Sequence, residues 1–496
     1  MTADPDTRPA RGRDLQPMPE EIPMDELIRA TARDLVARLA RGEVTPNDLL
    51  DALERRVEAV DGAVNAVVTR AFDQARAAAR HWMPTTDRRR QPGRLHGLPV
   101  AIKDLTATAG IRTTYGSPLF AGNVPAQSDN VAARLEERGG IIYAKTNTPE
   151  FGAGAQTFNE VFGTTTNPWN TSLTPGGSSG GSAVALASGT AWLAQGSDLG
   201  GSLRIPAAFT GVVGLRPTPG RVPHGPSVSP FSTLSVEGPM ARDVADLGLM
   251  LDAMAGLHPR DPLSREAEAG LFEAAATAPR KPRRVAVSVD LGIVPVAAEV
   301  RAAFGRAVDR LAAEGVEIVP LETSFAEAES AFKALRAGLM ATLHEDMLQA
   351  HRDRLKPDLV WNIEHGLGLD AATLGRAERA RAKMTLDLID ELSRVDLVLT
   401  PTVLTPPFPH TIRALEEIEG HRFETYVSWL ALTFAITLTG TPAMSLPAGR
   451  MAGDLPFGLQ LVGRPADEAA LLTHAAWMET VFTPVREVPV NPRIPG

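Results

Sequence analysis

Two Gly-Gly-Ser turns, Gly176-Gly177-Ser178 and Gly200-Gly201-Ser202, carry the residues of this chain best suited to chemistry. Glycine admits positive φ and lets a backbone come close to a ligand, so each turn can present a hydroxyl and aim its amides at one point. A nucleophile beside converging N–H donors is what acyl transfer requires. Lys103 is the third candidate. It ends the apolar run Leu98-Pro99-Val100-Ala101-Ile102, which reads as a buried strand. A lysine there must pair with a carboxylate such as Asp104, snorkel to water, or give up its proton. Only six of the 50 basic residues are lysines, so one placed inside an apolar strand stands out.

The elements that must position these groups follow an α/β grammar. Between the two turns, Ala183 to Ala194 is small and apolar and predicts one buried helix. Residues 24–60 show helical spacing, with Thr45 as a cap and Pro46 in the first turn. The strand ending at Lys103 is followed by an amphipathic helix from Asn130 to Arg138, closed by Gly139-Gly140, and by a strand from Ile141 to Lys145. The pattern returns after the Pro-rich break at 278–282, with strand, helix and strand at 284–289, 299–314 and 316–320. Residues 325–392 read as helical throughout and are a place for elements that shape a substrate pocket. Strands are expected at 396–401 and 458–462, and a loose tail at 491–496.

Composition narrows the function classes. The net charge of −9 disfavours non-specific binding to nucleic acid or an anionic membrane. Without cysteine there is no disulfide framework, thiol nucleophile or Cys-based zinc site. Residues 1–22 hold no signal-peptide core, and no window reaches the ~18 apolar residues of a membrane span, so a cytoplasmic protein is expected.

Several motifs compete. Gly176-Gly177-Ser178-Ser179-Gly180 fits the G-x-S-x-G elbow of an α/β-hydrolase esterase with Ser178 as nucleophile, but Pro168 to Ser172 reads as loop where that elbow needs a strand. Gly139 to Thr146 misses a P-loop because Ala144 stands where the second glycine belongs, so no ATP requirement is expected. There is no H-E-x-x-H, and Val100 stands where an S-x-x-K serine would precede Lys103.

The whole stretch Pro175 to Pro206 resembles the signature of the amidase signature family, serine hydrolases that cleave carbon–nitrogen bonds with a Ser-Ser-Lys triad. Gly97 to Asp104, Lys145 to Phe151, Gly214 to Pro223 and Leu455 to Gly463 resemble further blocks of that family. The likeness runs from Ile28 onward and is weakest from Pro259 to Val395. It implies an α/β fold with a large mixed, twisted sheet covered by helices on both faces, one amidase domain over 23–490, a flexible tail at 1–22 and a C-terminal tail at 491–496. It further implies an acyl-enzyme on Ser202, a proton bridge at Ser178 after a cis Gly177–Ser178 bond, and Lys103 as the base. To serve as base, Lys103 must be neutral, so its pKa of ~10.4 must fall through burial.

The resemblance assigns the oxyanion hole to the backbone N–H groups of Leu199, Gly200, Gly201 and Ser202, and supporting roles to Ser179, Asp198 and Arg204. Lys145 takes a minor structural part. Gln156 and Asn159 are candidates to reach the pocket. Trp361 and Trp429, with Met340, Leu343 and Phe434 nearby, are candidate walls. The substrate expected is a small-molecule amide, with anilides, esters and carbamates as further candidates. No cofactor or metal is expected, and the chain is expected to be a monomer or homodimer. The family also includes the amidase component of transfer-RNA amidotransferases, in which Gln commonly follows the signature arginine; here Ile205 follows Arg204, as in stand-alone amidases.

Overall fold

The computed structural model describes residues 25–82, 91–482 and 488–495, so the tail expected at 1–22 lies outside the described residues. Eleven strands form one mixed sheet with helices packed against it. Across the sheet the strands are Val67–Arg70, Ile141–Thr146, Pro99–Lys103, Leu193–Asp198, Val236–Ala241, Val213–Arg216, Ala443–Arg450, Pro456–Val462, Leu397–Pro401, Arg284–Val287 and Glu317–Pro320. The Pro-rich break at 278–282 therefore does not divide the sheet. Val213–Arg216, before the break, pairs antiparallel with Ala443–Arg450, after it.

Two neighbours in this sheet set the site. Pro99–Lys103 runs parallel to Leu193–Asp198, with Ala101 opposite Ala194. Parallel strands end at the same edge, so Lys103 and the turn that follows Asp198 emerge side by side, at the carboxyl edge where open α/β sheets hold ligands. Both strands are almost wholly buried, although the second carries Gln195, Ser197 and Asp198.

The run Ala183 to Ala194 is not one helix. The helix covers Gly180–Ser188 and stops at Gly189, whose φ of 79° closes the last turn through bonds to Ala185 O and Leu186 O. The second half enters the sheet as Leu193–Asp198. Residues 183–194 are small or apolar throughout, so their period does not divide them, and Gly189 makes the division.

Elsewhere the expected elements form. Thr45 caps Pro46–Val64 in a reciprocal pair with Asp48, and Asn130–Glu137 precedes Ile141–Thr146. The 325–392 region folds as Ala328–His351, Pro357–Leu367 and Ala371–Arg394. The C-terminal residues 491–495 are pinned rather than loose. Arg56 Nη1 donates to Asn491 Oδ1 at 2.7 Å, Arg493 N donates to Pro168 O at 2.9 Å, and the Arg493 guanidinium sits 4.9 Å from the Trp169 ring centre.

Candidate active site

Lys103 is fully buried at the end of its strand, with Nζ 2.7 Å from Ser178 Oγ and 3.0 Å from Ser197 Oγ. Asp104, the neighbour that could have neutralised it, turns instead to Thr114, accepting from its N–H and its hydroxyl. Burial pushes the Lys103 ammonium down to about 7, against the pull of Glu237 and Asp198. Near neutral pH a large fraction of this amine is therefore unprotonated. Lys145 is buried too, and burial lowers it to about 8, but it donates to Thr106 O and Thr108 Oγ1. Its place is structural.

Ser178 follows a cis Gly177–Ser178 peptide bond and is preceded by loop, not by the strand an esterase elbow requires. Ser179 ties the two glycine turns together. Its N–H donates to Ser202 O at 3.2 Å, its hydroxyl donates to Ser197 O at 3.2 Å, and the Ser197 N–H donates back at 3.3 Å. Ser178, Ser197 and Ser202 all line one cavity of about 150 Å³. The contact from Lys103 to Ser178 is closed, whereas no hydrogen bond joins the hydroxyls of Ser178 and Ser202. Of the two links in the expected relay, the structure makes the first and leaves the second open.

The turn that carries Ser202 is held from beneath by a buried ion cluster. Arg204 approaches Asp198 with two nitrogens, each at 3.0 Å, and Arg216 Nη1 lies 3.5 Å from the same carboxylate. Burial pushes Asp198 up, but Arg204 and Arg216 outweigh it and hold the carboxyl at about 2. The remaining Arg204 donors reach Thr433 O, Gln460 Oε1 and Thr437 Oγ1, so the charge is fully hydrogen-bonded.

Asp198 also accepts from the N–H of Gly201 at 2.8 Å and of Leu203 at 3.2 Å. This corrects one expectation: the Gly201 amide belongs to the scaffold of the turn, whereas Leu199, Gly200 and Ser202 line the cavity and their amides have no such bond. Gly201 has a φ of 127°, and a Cβ there would collide with the Thr433 hydroxyl, so both conformation and space require glycine.

The pocket residues expected from sequence fare less well. Gln156 is buried with its amide on Ile412 O, and Asn159 donates to Asn147 Oδ1 at 2.7 Å and Thr148 O at 2.8 Å. Trp429 packs edge-on against Phe408, and Trp361 lies outside on the surface, stacked on His365. None of the four lines the cavity. Its far wall is the helix Ala328–His351, through Phe332, Arg336, Leu339, Met340 and Leu343. Phe434 stands one layer behind, stacked on Phe332 at 4.5 Å. Ser197, which touches the lysine amine, carries no motif that would mark it along the chain. The wall does leave a trace, in the four-residue spacing of Phe332, Arg336 and Met340, but nothing local says which helix face meets the serines.

The Amidase family model matches residues 48–472. An acylamidase of Rhodococcus erythropolis is 34% identical over 455 residues, covering 91% of this chain and 95% of that protein. A glutamyl-tRNA(Gln) amidotransferase subunit of Moorella thermoacetica is 35% identical over 476 residues, covering 91% and 96%. The crystal structure of a bacterial aryl acylamidase of the amidase signature enzymes superposes with a TM-score of 0.84 at 26% identity, covering 93% of this chain and 96% of the other.

Proposed function

The chain belongs to the amidase family and is a hydrolase of amide C–N bonds, and on that premise we propose that it works through an acyl-enzyme on Ser202, with Ser178 as the proton bridge and Lys103 as the base. The observation that carries this reading is the 2.7 Å contact between the Ser178 hydroxyl and a fully buried lysine amine that makes no ion pair among the described residues. A neutral amine accepts a proton; a paired ammonium does not. Ser202 closes on Ser178 by turning its hydroxyl when substrate enters, since catalytic hydrogen bonds commonly tighten only in the complex. Its proton then passes to Ser178, and that of Ser178 to Lys103, as Oγ attacks the carbonyl. The amides of Leu199, Gly200 and Ser202 receive the oxyanion, each such donor being worth about 3 kcal/mol. The same relay run backwards protonates the leaving nitrogen, and water then clears the acyl group. Ser197 fixes the lysine amine from its other side. Anilides, esters and carbamates fall within the same chemistry, a carbamate leaving a carbamoyl group for water to remove.

Intact-mass analysis after mixing with a slow anilide tests this reading. An adduct mapped to Ser202 and absent from Ser202→Ala is expected, and an adduct on Ser178 overturns it. The likeness to the glutamyl-tRNA(Gln) amidotransferase protein favours a second reading, in which the released ammonia goes to a partner. Against it stands Ile205 after Arg204. Turnover of anilides by the purified chain alone decides between the two.

A further inference from the structure

We infer that Arg336 is the recognition point for a carboxylate on the substrate, so that this chain prefers amides whose apolar part carries a carboxylate. The inference rests on the reading that the cavity beside Ser202 is the active site. Arg336 is 5% exposed and lines that cavity. Its Nη1 donates to Asn362 Oδ1 and its Nη2 to the Tyr426 hydroxyl at 2.9 Å, and the Tyr426 ring centre lies 5.6 Å from the guanidinium. These partners are all neutral, and among the described residues no carboxylate pairs with it. A guanidinium never sheds its charge and carries five N–H donors. A buried cation is costly unless an anion answers it.

Other buried arginines of this chain show how such charges are otherwise met. Arg204 and Arg216 share Asp198, and Arg221 sits 2.8 Å from Glu468. Arg56 has no carboxylate, but it gives Nε, Nη1 and Nη2 to Ser188 O, Asn491 Oδ1 and Val490 O, all within the protein. Arg336 differs from all four in facing the cavity with donors to spare. Among the described residues the cavity lining contains no Asp or Glu, and Arg336 is its one permanent charge.

Distance along the helix places the anion. Phe332 packs over the serine turn so closely that a Cβ at Gly200 would come within 2.9 Å of its ring. Arg336 lies four residues further on, ~6 Å along the helix axis. Phe332 on the serine side of Arg336, with Leu339 and Met340 beyond it on the same helix, gives that wall an apolar surface. A carbonyl at Ser202 would thus be followed by a short apolar segment and then a carboxylate, held on the acyl side or on the amine side of the scissile bond.

Two substrate pairs test both sides. For the acyl side, kcat/KM is compared for the mono-anilide of glutaric acid and the anilide of pentanoic acid. For the amine side, it is compared for 4-acetamidobenzoate and 4-methylacetanilide. In at least one pair the native chain should favour the acid by about tenfold to a hundredfold, as charge-assisted hydrogen bonds do. Arg336→Met should bring that ratio near one, and Arg336→Lys should restore part of it. A ratio near or below one in both pairs of the native chain, or a ratio that survives Arg336→Met because all substrates fall together, overturns the inference. Should Arg336→Met not fold, the native ratios decide alone. Failure of the underlying reading looks different: the neutral anilides would then be untouched, or cleaved as well by Ser202→Ala.

Discussion

The segment from Ser178 to Arg204 and the helices from Ala328 to Arg394, of which Ala328–His351 lines the same cavity, are built differently. In the first, nearly every residue is buried, and serines, glycines and charges are locked to one another by short-range bonds. In the second, long amphipathic helices bury one face and leave Leu386 at 62% and Trp361 at 41% exposure on the other. Where most polar groups satisfy one another, changing one strands another. A helix face can exchange side chains at little cost. On the proposed mechanism, bond-breaking belongs to the sheet side, and the contrast suits the helical side to choice of substrate.

Substitutions can break that division, and the largest effects belong to the sheet side. Ser202→Ala should lower kcat by about 10⁴-fold or more, read from anilide release; a loss of less than tenfold would move the nucleophile elsewhere. Lys103→Met should cost a comparable factor and also flatten the pH profile. Because the base works unprotonated and Lys103 sits at about 7, native kcat/KM should climb through neutral pH and level off above it. His224 lines the same cavity, and though burial opposes it, Glu237 raises its pKa, so it is the rival for that inflection. The inflection should persist in His224→Gln and vanish from the residual rate of Lys103→Met; the reverse pattern would transfer the base to histidine.

Asp198→Ala strands two buried guanidinium groups and should cost about 3–5 kcal/mol in urea unfolding. On the helical side the scale drops. Met340→Ala should alter the preference between short and bulky acyl anilides by about tenfold with folding retained, as one pocket side chain of that size can. Trp361→Ser should change stability by no more than about 0.5 kcal/mol, since it removes a surface stack. If Trp361 instead controlled acyl preference, the cavity wall would lie elsewhere.

Much of the chemistry could be read along the chain because it is local. Ser178 to Ser202 lies within one continuous stretch, the strand at Pro99–Lys103 is a simple apolar run, and Thr45-Pro46 announces its helix. Other elements escaped for identifiable reasons. The run Ala183 to Ala194 is small and apolar across both the helix Gly180–Ser188 and the start of the strand Leu193–Asp198, so period alone could not part them. Val236–Ala241 carries Glu237, Gly238 and Pro239, which argue against a strand, yet it pairs with Leu193–Asp198 along its full length. The Gly201 amide is free by sequence alone, and only the folded turn brings Asp198 beneath it.

The amino-acid order by itself determined the fold class, the two serine turns and the one lysine able to serve them, because each depends on residue type and spacing within a short segment. Tertiary structure alone decided that burial, and not pairing with Asp104, lowers the pKa of this lysine, which amides of the turn remain open, and which helix face lines the cavity. Those outcomes depend on the dielectric and on how segments meet in the fold, from Asp198 beneath Gly201 to Phe332 beside Gly200, and residue order alone does not encode them.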